Sequence, residues 1–340
     1  SYGPLALKWN YIPKMFNWFL HYFQNCNHNS MMHTAKNMHQ ILSLSNDAYE
    51  EIFQEIDTTG LVEKKGIIYI WTNKNMKSRN LEIKVRKELG IEQKLLTQKE
   101  VLDLEPNLQP VFDAGVIYES AMHARDPHGI LKKIFKLFLE RGGKFVQTNI
   151  KNLEQINTNE TAIRSENEEY KFEKTVVASG AFSKLLTDQL GENIPLDTER
   201  GYHVHFKGKD HLISRPVIFL DRGFGMTPMN QGLRAVGTVE LGGFDNPISK
   251  KRIDYIDKCA KELLPQLGDF HDKWLGFRPT LPDFLPVIGP SLKNRNIIYA
   301  FGHHHLGWTL GAITGKIVSG IVNEEKTNLD LSPYSSARFN

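Results

Sequence analysis

Residues 297–322 read Ile-Ile-Tyr-Ala-Phe-Gly-His-His-His-Leu-Gly-Trp-Thr-Leu-Gly-Ala-Ile-Thr-Gly-Lys-Ile-Val-Ser-Gly-Ile-Val, and no other stretch restricts the fold as much. An apolar run rich in β-branched and aromatic residues gives way to a turn holding Gly302 and Gly307, then to a segment dense in small residues. That order predicts a buried strand, a turn whose backbone approaches something closely, and a helix packed at short range. A helix opening near Trp308 presents free N–H groups and the positive end of its dipole, which suits partial negative charge. Three consecutive histidines, His303, His304 and His305, invite a metal reading. Adjacent side chains cannot all aim at one ion without strain, however, and no acid lies three or four residues on. We expect no metal here, one or two imidazoles turned into a cleft, and His304 at the surface.

Length and charge narrow the remaining classes. A chain of 340 residues is long enough for two domains and a sizeable core. Lys and Arg number 42 against 39 Asp and Glu, and the net charge of +3 is too small and too evenly mixed for a nucleic-acid surface. Nucleic acid is not an expected partner. Cys26 and Cys259 stand alone, without disulfide or metal-ligand spacing, so a reducing, cytoplasmic location is expected. The best candidate for a membrane span, 306–322, is short and interrupted by Lys316. Residues 11–23 pack six aromatics into thirteen positions, a composition suited to peripheral contact with the inner face of the cytoplasmic membrane. A surface hairpin buried against the rest of the protein is the reading we favour.

Along the chain, apolar spacing predicts one long helix over 33–57, a strand at 66–71, a helix over 81–89 and a capping box at Thr97–Glu100. A strand at 114–118 and Asp126-Pro127, an N-cap followed by Pro at the first helical position, precede a helix over 127–141 and a strand at 144–147. Three short strands follow within 150–172, then a buried strand at 175–179 and a helix over 182–190. Beyond Pro195 the pattern alternates with period two, at 201–206, 217–220, 225–228 and 233–240, which describes an antiparallel sheet. A helix at 250–264 leads back to strand, turn and helix. Units of parallel type thus flank an antiparallel block, so one domain is discontinuous in sequence.

Two further signals carry chemistry. In Trp274-Leu-Gly-Phe-Arg-Pro-Thr-Leu-Pro-Asp-Phe-Leu-Pro-Val-Ile-Gly289 the prolines fix the backbone, so Arg278 sits on a rigid segment. A fixed guanidinium is a bidentate receptor for carboxylate, and the plain alternative is an ion pair with Asp283. In Val176-Val-Ala-Ser-Gly-Ala-Phe-Ser183 a buried strand ends in small residues ahead of a helix, where nucleotides sit in open α/β sheets.

Together with Glu199-Arg-Gly-Tyr-His203 and Gly232-Leu-Arg-Ala-Val-Gly-Thr-Val-Glu240, these motifs resemble the FAD-dependent D-amino-acid oxidase and dehydrogenase superfamily over essentially the whole chain, in particular its bacterial D-amino-acid dehydrogenase-like members. The resemblance implies an α/β fold: a Rossmann-like FAD-binding domain of the glutathione-reductase type in 121–196 and 276–340, and an α+β substrate domain with an antiparallel sheet in 1–120 and 197–275. It implies that Ser179, Gly180 and Ala181, with Gly302, His303, Leu306, Gly307, Trp308 and Thr309, line the FAD. Arg278 falls at the position that binds the substrate carboxylate, and Tyr202 and His203 are weaker candidates for the pocket, each equally readable as a plain strand residue. The implied activity is oxidation of the α-carbon of a D-amino acid to an imine and then a 2-oxo acid, with quinone or oxygen as electron acceptor. Two alternatives stay open: a secondary amine such as sarcosine, proline or hydroxyproline as substrate, and a non-catalytic subunit that has lost its flavin.

One departure stands out. Flavoproteins of this kind open with a strand and a Gly-x-Gly-x-x-Gly turn that holds the pyrophosphate, and this sequence has none; Gly223-Phe-Gly225 lies between antiparallel strands and opens no helix. Either the first βαβ unit has been cut from the sequence or another polypeptide supplies it. Truncation is the expectation, and with it weak FAD binding and no activity for these 340 residues alone.

Overall fold

A computed structural model describes residues 3–157 and 160–339. Its contacts divide the chain into two compact units, one of residues 1–8, 56–137 and 200–276, the other of 9–55, 138–199 and 277–340.

The first unit is built on a mixed sheet, nine-stranded among the described residues. Its centre is the antiparallel pair Phe224–Met229 and Gly232–Leu241, in register from Phe224 opposite Gly237 to Met229 opposite Gly232. Val217–Phe219 extends it antiparallel on one side and then runs parallel to Ile67–Trp71, which pairs antiparallel with Ala114–Tyr118. The alternation read beyond Pro195 is this sheet. Tyr202, Val204 and Phe206 point to one face, where Leu233, Ala235 and the helix Lys250–Leu263 meet them. That helix buries Ile253, Ile256, Ala260 and Leu263, spaced three or four apart, the stripe an amphipathic helix lays on a sheet. The expected caps are present. Thr97 and Glu100 form the capping box of Gln98–Leu104, and the Gly129 amide donates to Asp126 Oδ1 at 2.9 Å to open Pro127–Glu140.

In the second unit, Thr175–Val177 and Ile297–Phe301 pair in parallel, and Val287–Pro290 pairs antiparallel with the latter. Leu153, Val177, Ile194, Leu196, Leu281, Val287, Ile297, Tyr299 and Phe301 form its core. The meander of 150–172 is present as Asn152–Asn157, Glu160–Arg164 and Glu169–Phe172.

Several elements differ from expectation. The long helix over 33–57 is two helices, His28–Leu42 and Ser45–Phe53. At the break the Ser43 hydroxyl donates to the Gln40 carbonyl and the buried Ser45 hydroxyl to that of Ile41, the back-bonding by which serines bend and interrupt helices. Residues 11–23 form no hairpin; a turn at Ile12–Met15, with Pro13 in its first positions, runs into the helix Phe16–Asn25. The stretch 144–147 lies in no strand, and its Phe145 and Val146 are exposed. The helix over 182–190 is three short turns, Gly180–Ser183, Lys184–Thr187 and Asp188–Leu190. Residues 9–55, expected with the antiparallel block, group with the last helix, because Ser45–Phe53 packs on it: Tyr49 stacks on Trp308 at 6.1 Å and donates to its carbonyl, and Lys316 pairs with Glu51.

Candidate functional site

Direction of the strands positions this site. Because Thr175–Val177 and Ile297–Phe301 run in parallel, with Val177 opposite Tyr299, the turns that follow them leave the same edge of the sheet. Carboxyl ends of parallel strands are where open α/β sheets bind ligands. Ser179, Gly180 and Ala181 emerge there from one strand and residues 302–306 from the other. Gly180 has a φ of +57° and nothing within 4 Å of where a Cβ would stand, so the backbone is bare to an approaching group. Gly302, at φ +83°, makes the opposite use of glycine: a Cβ there would meet Leu281 Cδ1 at 2.3 Å.

The last helix, Gly307–Val322, opens without a side-chain cap and without an acid in its first turn. Gly307, Trp308 and Thr309 are all exposed. Sixteen residues of aligned peptide dipoles therefore end at a helix mouth that no side chain caps and no acid neutralises, which favours an electron-rich partner.

Each of the three histidines makes its own contacts. Nε2 of His303 lies 2.9 Å from Thr314 Oγ1 one helical stretch away, and burial pushes its imidazole down to about 4. His304 is not the surface residue expected. Its side chain is 11% exposed, its Nε2 lies 3.0 Å from Glu199 Oε2, and its ring meets Phe284 edge-on at 5.2 Å. His305 packs edge-on against His304 at 4.8 Å; desolvation first, then the charges of His304 and Arg278, push its imidazole to about 4 although the residue keeps an exposed edge.

Arg278 belongs to the same cluster. Burial lowers its affinity for the proton, Glu199 opposes that, and its field is felt at His305. Asp283, the plain alternative partner, is engaged by Arg338, whose Nε and terminal nitrogen reach Oδ2 and Oδ1 at 2.5 and 3.4 Å. A guanidinium remains ionised at any working pH, so burial raises the worth of an anion brought to it.

Tyr202 and His203 lie in the first unit. Tyr202 is fully buried in its core and donates to Glu240 Oε2 at 3.0 Å, the behaviour of a plain strand residue. His203 stacks on Trp274 at 5.1 Å, and burial, then Arg234, hold it neutral down to about 4.

Glu199 and Phe284 were not singled out from sequence, and His305 only as one of three adjacent histidines. Glu199 stands inside a quoted motif, but nothing local marks it as the neighbour of residues a hundred positions later. Phe284 has a φ of 63° and His304 one of 55°, left-handed values uncommon for any residue but glycine and most unusual for a bulky one such as Phe284.

This donor set fits the ring end of an FAD: bare backbone at Gly180, uncapped amides from Gly307, and neutral imidazoles beside them. The Gly-x-Gly-x-x-Gly that would hold its pyrophosphate does not occur in the sequence.

Comparison with known proteins agrees with the fold. A family model described as FAD dependent oxidoreductase matches residues 12–321. A D-amino-acid oxidase from Bradyrhizobium diazoefficiens is 30% identical over 343 residues, taking in 99% of this chain and 82% of that protein. A D-amino acid dehydrogenase from Vibrio atlanticus is 28% identical over 347 residues, with 100% and 83% covered. The solved glycine oxidase from Geobacillus kaustophilus superposes with a TM-score of 0.78 at 22% identity, over 88% of this chain and 81% of that one, a likeness of fold that bears out the α/β class.

Proposed function

Because this chain belongs to the family of FAD-dependent oxidoreductases, we propose that it serves oxidation of the α-carbon of a D-amino acid to an imine, which water hydrolyses to a 2-oxo acid. The names of the D-amino-acid oxidase and dehydrogenase relatives support the substrate class. Bound FAD supplies the two-electron acceptor.

The chain's own residues supply position and field. Ser179, Gly180 and Ala181 and the turn from Gly302 through His303 and Leu306 to Thr309 would hold the ring of a bound FAD, largely with backbone. The uncapped helix start at Gly307, Trp308 and Thr309 would offer preorganised positive potential to its electron-rich edge. His303 stays uncharged through its burial and its bond to Thr314, so it adds no fixed cation there. Arg278 binds the substrate carboxylate and so orients the α-carbon, a proximity effect that can be worth several kcal/mol, about 7 or more in well-oriented systems.

The observation that supports this reading is the parallel pairing of Thr175–Val177 with Ile297–Phe301, which brings Gly180 and the turn before the last helix to one edge of the sheet. Arg278, half-buried on its proline-bound segment, has a charge that acts on His305 in that turn. The test is steady-state kinetics of FAD-loaded Arg278→Ala and Arg278→Lys protein on a D-amino acid and on the matching amine without a carboxylate. Loss of a charge-assisted bond of about 1.5–3 kcal/mol should raise KM for the amino acid on the order of tenfold to a hundredfold and leave the amine unchanged. An unchanged KM in Arg278→Ala would remove Arg278 from the site.

A further inference from the structure

An amino acid in solution carries its nitrogen as ammonium, and the α-carbon can give up a hydride only once that nitrogen has a lone pair for the forming C=N bond. The ammonium proton therefore needs an acceptor. Arg278 and the amides of the last helix only donate, and Nε2 of His303 is engaged with Thr314 Oγ1. The turn after the Ile297–Phe301 strand holds another candidate.

Three titratable side chains of the second unit stand in line there. Glu199 Oε2 lies 3.0 Å from His304 Nε2, and neither of these buried atoms has another partner. His304 Nδ1 lies 2.5 Å from His305 Nδ1. These two contacts assign the tautomers. A carboxylate only accepts, so His304 carries its proton on Nε2 and is bare at Nδ1. The short contact between the rings needs one proton, which then belongs to Nδ1 of His305. Nε2 of His305 is left with its lone pair, makes no hydrogen bond among the described residues, and sits on an exposed side chain.

The neighbouring charges bear on that lone pair. Burial, then His304 and Arg278, make His305 less basic, and Glu199 makes it more so. A carboxylate bound at Arg278 offsets one of the opposing charges, so His305 gains basicity when the amino acid is in place. Tyr22, on the helix Phe16–Asn25, also stands in the field of Glu199; burial, then Cys26 and Glu199, push its hydroxyl up, and it stays a neutral phenol.

We propose that His305 is a catalytic base that takes the ammonium proton of the amino acid on Nε2, with His304 and Glu199 as the residues that position it. The proposal rests on the amino-acid reading above. In this step the N–H bond of the substrate breaks as one forms at His305 Nε2, and the Nδ1 proton moves toward His304 Nδ1. The positive charge thus settles beside the Glu199 carboxylate, and the substrate is left as the neutral amine with no change in oxidation state.

Two measurements test it. Imidazole 15N shifts of the full chain near neutral pH, assigned by the signals lost in His304→Gln and His305→Gln, should show the proton on Nε2 of His304 and on Nδ1 of His305. The opposite tautomer at His305 overturns the proposal. The second is the pH dependence of kcat/KM of FAD-loaded protein on a D-amino acid, from about pH 6 to about pH 9. The unsubstituted protein should give a nearly level profile. His305→Gln should climb about tenfold per pH unit and converge with it at the alkaline end, because only amine already free in solution then reacts. Glu199→Gln should lose on the order of tenfold at the acid end and recover likewise, which a purely structural role would not produce. A level profile in His305→Gln also overturns the proposal. Arg278→Ala reports on the substrate reading separately, since it should raise KM at every pH and leave the slope as it is.

Discussion

His304 and Phe284 are two non-glycine residues in left-handed backbone, at φ 55° and 63°, whose rings touch at 5.2 Å. Each conformation is disfavoured by itself, and such strain persists where surrounding contacts over-determine it. For His304 those contacts include Glu199, 3.0 Å from its Nε2. His304→Gly and His304→Ala both delete the imidazole, but only alanine keeps the steric penalty. The glycine variant should therefore be the more stable of the two by about 1 kcal/mol in denaturant melts. Equal stabilities would mean that the backbone there is unstrained.

The neutral His303 makes stability depend on pH. In the unfolded chain its imidazole takes up a proton near 6.5, whereas in the folded protein burial delays this to about 4. Between those values the unfolded state binds more protons, so stability falls as pH drops from about 7 toward 4 and is unaffected above. His203, also held to about 4, acts with the same sign. His303→Gln, which can still bond Thr314, should flatten the decline in Tm between pH 7 and 5. A slope unchanged by the substitution would place the titration elsewhere.

Sequence made the strand, turn and helix of 297–322 legible because glycines and small residues encode a turn and a close-packed helix locally. Alternation made the antiparallel sheet legible for the same reason. Residues 11–23 were misjudged because apolar side chains occur on nearly every face of that segment, so no single period stands out; the helix shows only once Trp18 and Tyr22 are seen to be covered and Phe16, Leu20 and Phe23 left bare. The break at Ser43 and Ser45 hangs on two hydroxyl bonds, a detail below the resolution of spacing. Within the site, strand spacing says that 175–177 and 297–301 are strands, but not that they are parallel neighbours, and that pairing is what brings Gly180 and Gly302 to one edge. His304 was misplaced because its environment is made by Glu199 and Phe284, one far upstream and the other on a proline-bound loop.

Glu192 is a buried carboxylate that holds together parts of the second unit distant in sequence. Its Oε1 accepts from the Ser291 hydroxyl, from Tyr299 at 2.9 Å and from the Leu292 amide at 3.1 Å, and its Oε2 accepts from Ser336 at 2.9 Å. Glu192→Ala strands these donors without water, and a loss of about 3–5 kcal/mol is expected. Glu192→Gln keeps one acceptor oxygen and should lose about half as much, because the Ser336 hydroxyl can rotate to accept from the new amide. Urea melts of both variants check the order, and a glutamine variant as unstable as alanine would show that the charge itself is what these donors require.

Gly302 joins fold to function most directly. Its φ of +83° starts the turn toward the last helix, and a Cβ would stand 2.3 Å from Leu281 Cδ1 and 3.2 Å from Cγ. Leu281 is fully buried among Val287, Ile297 and Phe301, so it has little room to yield. Gly302→Ala should destabilise the protein by about 2–4 kcal/mol, from left-handed strain of about 1–2 kcal/mol together with overpacking. It should also displace His303 to Thr309 and lower the visible flavin absorbance retained after gel filtration. The two contributions separate in a double-mutant cycle with Leu281→Ala. Trimming the leucine removes the clash but not the strain, so the double variant should be less destabilised than the sum of the singles by about 1 kcal/mol or more. Strict additivity would mean that the turn adjusts without touching Leu281, and that glycine is needed at 302 for its backbone angle alone.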